Sequence, residues 1–419
     1  MFLVDMEKIK SGSSAFRQLS IAMLVAGFST FALLYGMQPL LPVFCLDFGL
    51  SAEKASLAIS VATGTMALTL IAAGLISDRI GRRPVMVMAL LCSSLFTIVA
   101  PLAPGWGGFL AARFFCGLAL AGIPASAMAY ISEEVEDGAI GRALGLYIAG
   151  SAIGGMSGRL FISVITQFAG WRTAVAATGL IALLLAIAFW RLAPVARHFR
   201  KRSHSPRSFI KSLHSIFSDL ALPWLFLEAF LLMGAFITIY NYAGFHLLAP
   251  PYSLDQATVG AIFLLYIVGS FSSAWAGTAS GRFGPRRTLW IPICGFILGL
   301  ALLVTEPLAA FVLGIAVITA GFFGGHSIAS IWVARRARTH RAQAAALYLT
   351  SLYIGASLLG SAGGYAWTYA GWPGVVSFAA GLVLLAFGIS LCLTRVQPLP
   401  PDARLGLQPG PAECCHSIP

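Results

Sequence analysis

Charge is what this sequence has least of. Of its 419 residues only 10% are Asp, Glu, Lys or Arg, and just 15 are acids. A water-soluble domain carries roughly 25% charged residues, so a dissolved globular protein is excluded. The 7 histidines show no metal-ligand spacing. Cys45, Cys92, Cys116, Cys294 and Cys392 are scattered through apolar runs, and Cys414 and Cys415 lie near the end. That scatter excludes a disulfide framework or a zinc site and reads as small buried hydrophobes. There is no Walker loop, no dinucleotide fingerprint and no Gly-x-Ser-x-Gly elbow. No cofactor, no metal and no catalytic residue are therefore expected, and any work the chain performs must draw on a gradient.

Apolar sequence is what it has most of. Hydrophobic residues make up 58%, and the mean hydropathy is +0.86. Twelve runs reach the length of about 20 residues that crosses a bilayer core. They are 18–42, 55–77, 84–104, 107–131, 141–165, 172–193, 221–246, 257–280, 288–305, 308–333, 344–367 and 373–394. The stretch up to Arg17 is polar and lacks a small-residue cleavage site, so no secretory signal is expected.

The net charge of +12 is spread by topology. With both termini cytoplasmic, 23 of the 27 Lys and Arg fall on that side, while the other side holds only Lys54 and Arg172. This is the positive-inside pattern, and it argues against a nucleic-acid partner. The expectation is a multi-pass protein of a bacterial inner (plasma) membrane with both termini cytoplasmic.

A basic loop occurs twice. Gly74-Leu-Ile-Ser-Asp78-Arg79-Ile-Gly81-Arg82-Arg83 returns 203 positions later as Gly277-Thr-Ala-Ser-Gly281-Arg282-Phe-Gly284-Pro285-Arg286-Arg287. Further matches follow: Leu146-Tyr147 with Leu347-Tyr348, Ile153-Gly154 with Ile354-Gly355, and Ala169-Gly170-Trp171 with Ala370-Gly371-Trp372, all at an offset of 201. Phe31 and Tyr35 match Phe236 and Tyr240 at 205. The chain divides into a six-helix bundle over 1–194, a basic cytoplasmic linker over 195–219, a second six-helix bundle over 220–395 and a disordered tail over 396–419. In the linker Phe209, Ile210, Leu213, Ile216 and Phe217 fall at helical spacing among Arg207, Lys211 and His214. Two readings stay open there: an amphipathic helix on the membrane surface, or a solvated linker.

With two six-span halves and this loop after the second span of each, the chain resembles the major facilitator superfamily. Residues 74–83 match the family's motif A, Gly-x-x-x-Asp-Arg-x-Gly-Arg-Arg, in full. More narrowly it is similar to the YnfM-type inner-membrane efflux permeases, in stretches such as Phe31-Ala-Leu-Leu-Tyr35, Gly154-Gly-Met-Ser-Gly-Arg159 and Gly321-Phe-Phe323. The resemblance implies an all-α integral membrane fold of two pseudo-symmetric six-helix bundles rocking about a central cavity. It also implies that Asp78 locks the cytoplasmic side against the other half. The acidic loop Glu133, Glu134, Glu136, Asp137 and the basic run Arg335 to Arg341 are complementary in sign across that face. The alternative is that these are solvated topology charges, worth ~0–1 kcal/mol per exposed pair. Gly281 stands where Asp78 does in the first copy, so any latch is one-sided.

Away from the ends of the spans, three charges fall inside them: Arg113, Arg159 and Glu228. Each costs at least about 2.5–3.5 kcal/mol near mid-helix unless paired or hydrated, which makes function the default reading. Arg113, in Arg113-x-x-x-Gly117, resembles motif B, which implies proton coupling or attraction of an anionic substrate. Bonding to helix carbonyls is the structural alternative. Arg159 follows Gly150, Gly154 and Gly158, a spacing that lets another helix approach. These glycines resemble the drug antiporters' motif C but lack its proline. Glu228 is the lone acid within a span and the best candidate for a proton carrier. A rim acid paired to a loop arginine is the competing reading. His326 is a second proton candidate. Tyr35, Gln38, Tyr240, Asn241 and Tyr242 are candidate cavity residues suited to amphiphilic or sugar-like solutes. Interfacial anchoring competes with that reading, because they lie toward the outer ends of their spans.

The expected function is secondary active transport of a small drug- or sugar-like solute by alternating access, through proton-coupled efflux. Uptake symport or passive facilitation is the alternative within transport, and a membrane scaffold or sensor lies outside it. The expected partners are a small-molecule substrate, protons and the lipid bilayer, with the chain working as a monomer.

Overall fold

The computed structural model describes residues 8–201, 206–338 and 340–397, and for 206–209 the backbone alone. The proposed tail from Pro398 onward, with Cys414 and Cys415, and the side chains of Arg207 and Phe209 lie outside the described residues. The order is α1 (Ser14–Tyr35), α2 (Leu41–Phe48), α3 (Ala52–Ile80), α4 (Arg82–Val99), α5 (Gly105–Leu120), α6 (Gly122–Glu134) and α7 (Ile140–Leu192). Then follow α8 (Pro206–Phe217), α9 (Leu222–Leu248), α10 (Gln256–Gly260), α11 (Tyr266–Phe283), α12 (Pro285–Thr288), α13 (Trp290–Leu302), α14 (Leu308–Arg336) and α15 (Arg341–Thr394).

Nine helical stretches among the described residues are long and apolar enough to cross a bilayer. Two of them, α7 with 53 residues and α15 with 54, are twice the length a span requires. Each is broken once, at Gly170 (φ +79°) and Gly371 (φ +59°). Those left-handed values suit glycine and reverse the chain between two spans. The ninth expected span is present as α12 and α13, joined through a helical Leu289. Among the described residues this arrangement is consistent with twelve crossings, six on each side of α8. The loops rich in Arg and Lys share one face, called here the basic face.

Small residues set the distances between helices. A Cβ at Gly154 would stand 2.1 Å from the Phe28 carbonyl oxygen of α1. Its repeat partner Gly355 would stand 2.1 Å from the Phe230 carbonyl of α9. Gly150 faces Leu24 in the same way, at 2.2 Å. The glycine stripe is therefore a close-packing seam between the first and fifth spans.

Proline breaks the first span. Pro39 and Pro42 have no N–H to give, so α1 ends at Tyr35 and a 3₁₀ turn, Gln38–Leu40, leads into α2. That break presents the Gln38 side chain inside the bundle, 1% exposed. In the linker, α8 packs Ile216 inward and sets Phe217 edge-on to Phe226 of α9, while Ile210 stays exposed. The cysteines do not all read as buried hydrophobes. Cys116 is buried and Cys392 is exposed, with Cys45, Cys92 and Cys294 between, because apolar residues facing lipid need no cover from protein.

Candidate functional site

Each basic loop grips the end of a helix. Arg83 donates from Nε to the Ala193 carbonyl (2.8 Å) and from Nη2 to the Trp190 carbonyl (2.6 Å), at the end of α7. Arg286 donates from Nε and Nη2 to the Thr394 carbonyl, the end of α15, at 3.2 and 2.6 Å. The last carbonyls of a helix have no intrahelical partner and carry its negative pole, so a cation there is favoured. Gly81 (φ +110°) and Gly284 (φ +84°) make the turns that aim these arginines. Gly74 and Gly277 lie earlier, in α3 and α11, and Arg79, Arg282 and Arg287 lie at the basic face.

Arg82 is the centre of a cluster on that face. Its guanidinium meets Asp78 Oδ1 at 2.5 Å and Glu133 Oε1 at 3.0 Å, and Nη1 donates to Ser77 Oγ at 3.2 Å. The rest of the acidic loop is engaged by the N-terminal segment and the start of the linker. Glu134 accepts from His198, and Asp137 pairs with Lys8. Glu136 accepts from the Ser11 N–H, and Ile9 bridges to Val135. The acidic loop therefore serves the N-terminal segment and the start of the linker, a use its sign alone did not reveal.

Arg113 is fully buried and hydrogen-bonded to backbone. Nε donates to Ala58 O (2.9 Å), Nη1 to Leu33 O (2.9 Å) and Nη2 to Leu34 O (2.8 Å). Leu33 and Leu34 lie in the last turn of α1, where the break leaves carbonyls without helical donors. Gly117, whose Cβ would sit 2.2 Å from Ala62 O, brings α5 close enough for this.

Arg159 is different. Nε donates to Gln38 Oε1 (2.7 Å) and Nη1 to its own turn at Gly155 O. Gln38 in turn donates from Nε2 to Asn241 Oδ1 of α9, at 2.7 Å. A polar chain thus runs from the first half to the second. Aromatic rings surround the guanidinium carbon: Tyr35 at 4.8 Å, Tyr266 at 4.9 Å and Phe263 at 5.1 Å to their centroids. Tyr240 closes the cage, 5.2 Å from the Tyr266 ring, with its hydroxyl on Thr319 at 2.8 Å. Tyr242 points elsewhere and donates to Gly360 O. Tyr35, Tyr240 and Tyr242 are buried by protein. Interfacial anchors would face outward, so that reading is set aside. Phe263 and Tyr266 were missed from the sequence. Their only signal is an aromatic pair at i, i+3 in an otherwise apolar span.

Glu228 is 0% exposed, and neither carboxyl oxygen has a hydrogen-bond partner among the described residues. The rim-pairing reading therefore has no support in this conformation. Elsewhere in the second half the Tyr348 hydroxyl is 2.9 Å from His326 Nδ1.

The halves are joined away from the basic face. Besides Gln38–Asn241, Gln256 donates to Pro39 O at 2.7 Å and Ser361 bonds Ser60 at 2.6 Å. Ser357 donates to Ser60 O at 2.7 Å, and Thr368 to Glu53 at 3.2 Å. These bonds close the seam between the ends of the two halves opposite the basic face.

This geometry has known counterparts. The family model of the Major Facilitator Superfamily matches residues 19–334. The inner membrane transport protein YnfM of Escherichia coli is 41% identical over 92% of this chain and 93% of its own length. The uncharacterized MFS-type transporter YybF of Bacillus subtilis is 39% identical over 94% of this chain and 98% of its own. Among solved structures, a bacterial homolog of the human lysosomal transporter Spinster superposes with a TM-score of 0.74 at 15% identity, over 91% of this chain and 96% of that one. The D-xylose-proton symporter superposes at 0.70 and 14% identity, over 92% and 99%. Two six-span halves, the doubled basic loop and relatives aligned from end to end agree: the chain is a multi-pass membrane transporter, not an enzyme, and belongs to the Major Facilitator Superfamily.

Proposed function

We propose that this transporter exports a small organic solute from the cytoplasm of a bacterium in exchange for protons, by alternating access, with its basic face cytoplasmic. The charge asymmetry of the loops supports that orientation, and the name of the 41%-identical relative supports the inner membrane. The observation that carries the coupling half of the reading is Glu228. It is a fully buried carboxyl with no hydrogen-bond partner among the described residues. An ionised carboxylate left in that setting would go uncompensated. Proton loss must then accompany water entry or rearrangement, which ties the proton to the conformational cycle. His326, hydrogen-bonded to Tyr348, is a second proton candidate in the same half.

The solute site in this reading is the space between the first and seventh spans, bounded by Tyr35, Gln38, Asn241 and Tyr240. In the conformation described, the seam opposite the basic face is closed. Opening it requires breaking Gln38–Asn241 and the serine bonds between α3 and α15. Asp78 then acts as the one-sided latch that closes the basic face in the opposite state, leaving its partner Arg82. The chain works as a monomer, since both halves of the site come from one polypeptide.

The test uses purified protein in liposomes that contain a pH-sensitive dye, under an imposed proton gradient. Drugs, sugars and organic acids are screened in turn. Proton flux evoked by a solute and opposite in direction to that solute supports export by exchange. Flux in the same direction as the solute replaces it with uptake by symport. Solute exchange without proton movement makes the protein a passive facilitator.

A further inference from the structure

Arg159 is a buried cation without an anion. It is 2% exposed, and no carboxylate among the described residues lies within ion-pair distance of it. Its neighbours are neutral: an amide oxygen, one backbone carbonyl and three aromatic rings. A guanidinium has five N–H donors, and the described hydrogen bonds use two of them. Burying an ion is costly unless it is paired; the rings offset part of that cost, and a negative charge would pair the cation directly.

Two further observations point to where that charge would come from. Gln38 Oε1 holds the Nε–H, and the same amide is tied to Asn241 of the other half. When the halves part at this seam, the Gln38–Asn241 bond breaks and the amide can withdraw, exposing the guanidinium edge. Tyr35 hydroxyl, on a ring that lies under the guanidinium, is buried with no hydrogen-bond partner among the described residues. An unpartnered hydroxyl and a cation with no counter-ion among the described residues therefore share this site, an arrangement that suits an anionic acceptor.

We infer that Arg159, with Tyr35 and the cage of Phe263 and Tyr266, is a binding site for a planar organic monocarboxylate, and that Gln38 occupies it as a neutral placeholder in the closed state. The carboxylate takes the guanidinium edge in bidentate fashion, and the flat body stacks among the rings. A neutral sugar would leave the cation uncompensated. A dianion would bring a second charge that has no partner in the cage. The inference rests on the transport reading, because it makes the carboxylate the transported solute.

The experiment measures binding, so that it is separate from transport. Purified full-length protein in nanodiscs is titrated with benzoate, phenylacetate and cinnamate, and in parallel with benzamide and phenylacetamide, following heat. At least one acid is expected to bind, with its amide at least about tenfold weaker, the loss of one charge-assisted hydrogen bond. Arg159→Gln should weaken the acid by the same factor or more and leave the amide unchanged. Gln38→Ala keeps the arginine and removes the placeholder, so it should tighten the acid roughly fivefold. If Arg159→Gln does not fold, Gln38→Ala decides alone. Acid and amide binding equally, no acid binding, or Gln38→Ala weakening the acid would each overturn the inference. An acid that binds through Arg159 yet shows no exchange in liposomes overturns the transport reading and leaves the site. Exchange of a neutral solute untouched by Arg159→Gln does the reverse.

Discussion

Arg83 and Arg286 stand 203 positions apart in the sequence and perform the same act. Each reaches across its own bundle and donates to the closing carbonyls of that bundle's last helix, α7 in one case and α15 in the other. The doubled basic loop therefore has a purpose inside each half that is independent of any latch between halves. It fastens the turn after the second span to the end of the sixth. Asp78, absent from the second copy, pairs here with Arg82 of its own loop.

Replacing either arginine by Ala should destabilise its bundle. Hydrogen bonds to a charged group are worth about 1.5–3 kcal/mol, and the last carbonyls would lose their donors. Arg83→Ala and Arg286→Ala should lower the thermal midpoint of the detergent-solubilised protein by similar amounts. If one falls and the other is silent, the symmetry of function is wrong.

The seam between the first and fifth spans predicts a second matched pair. Gly154→Ala and Gly355→Ala would each push a methyl group to about 2.1 Å from a carbonyl oxygen, so the helices must separate. Overpacking of this kind costs typically ~1–3 kcal/mol. Unfolding midpoints of both variants should drop. Gly295→Ala, where a Cβ meets nothing within 4 Å, should be neutral. Equal behaviour of all three would show that the close approach carries no energy.

Ser60 and Ser361 test whether the closed seam opens during work. Their hydroxyl oxygens are 2.6 Å apart across the two halves, a separation that allows the Cβ spacing of about 3.8 Å found in disulfides. With the native cysteines replaced, Ser60→Cys with Ser361→Cys should crosslink under mild oxidation. Solute exchange should stop and return on reduction. Undiminished exchange by the fully crosslinked protein would mean that the seam does not have to open.

Much of the fold was legible because lipid imposes a simple rule. A span needs about 20 apolar residues, and twelve such runs are present. The turns at Gly170 and Gly371 fall in the gaps expected between spans 5 and 6 and between 11 and 12. What composition could not give was partnership. Arg113 and Arg159 read alike as buried arginines, yet one is held by three carbonyls and the other by an amide in an aromatic cage. The difference lies in the break at Pro39 and Pro42, which frees carbonyls for Arg113 and turns Gln38 toward Arg159. Phe263 and Tyr266 escaped notice because an aromatic residue in an apolar span carries no polar mark. The pairing of His326 with Tyr348 depends on two different spans meeting, and no spacing along the chain encodes that. Glu133 and Glu134 were read by sign alone, and the structure pairs them with Arg82 of their own half and His198 at the start of the linker.

The measurement that bears most directly on the coupled-transport reading is solute-evoked proton flux in liposomes, comparing the wild-type protein with Glu228→Gln. Coupling through Glu228 predicts that the variant binds solute and exchanges it across the membrane while moving no protons. Proton flux that persists unchanged in Glu228→Gln would contradict it.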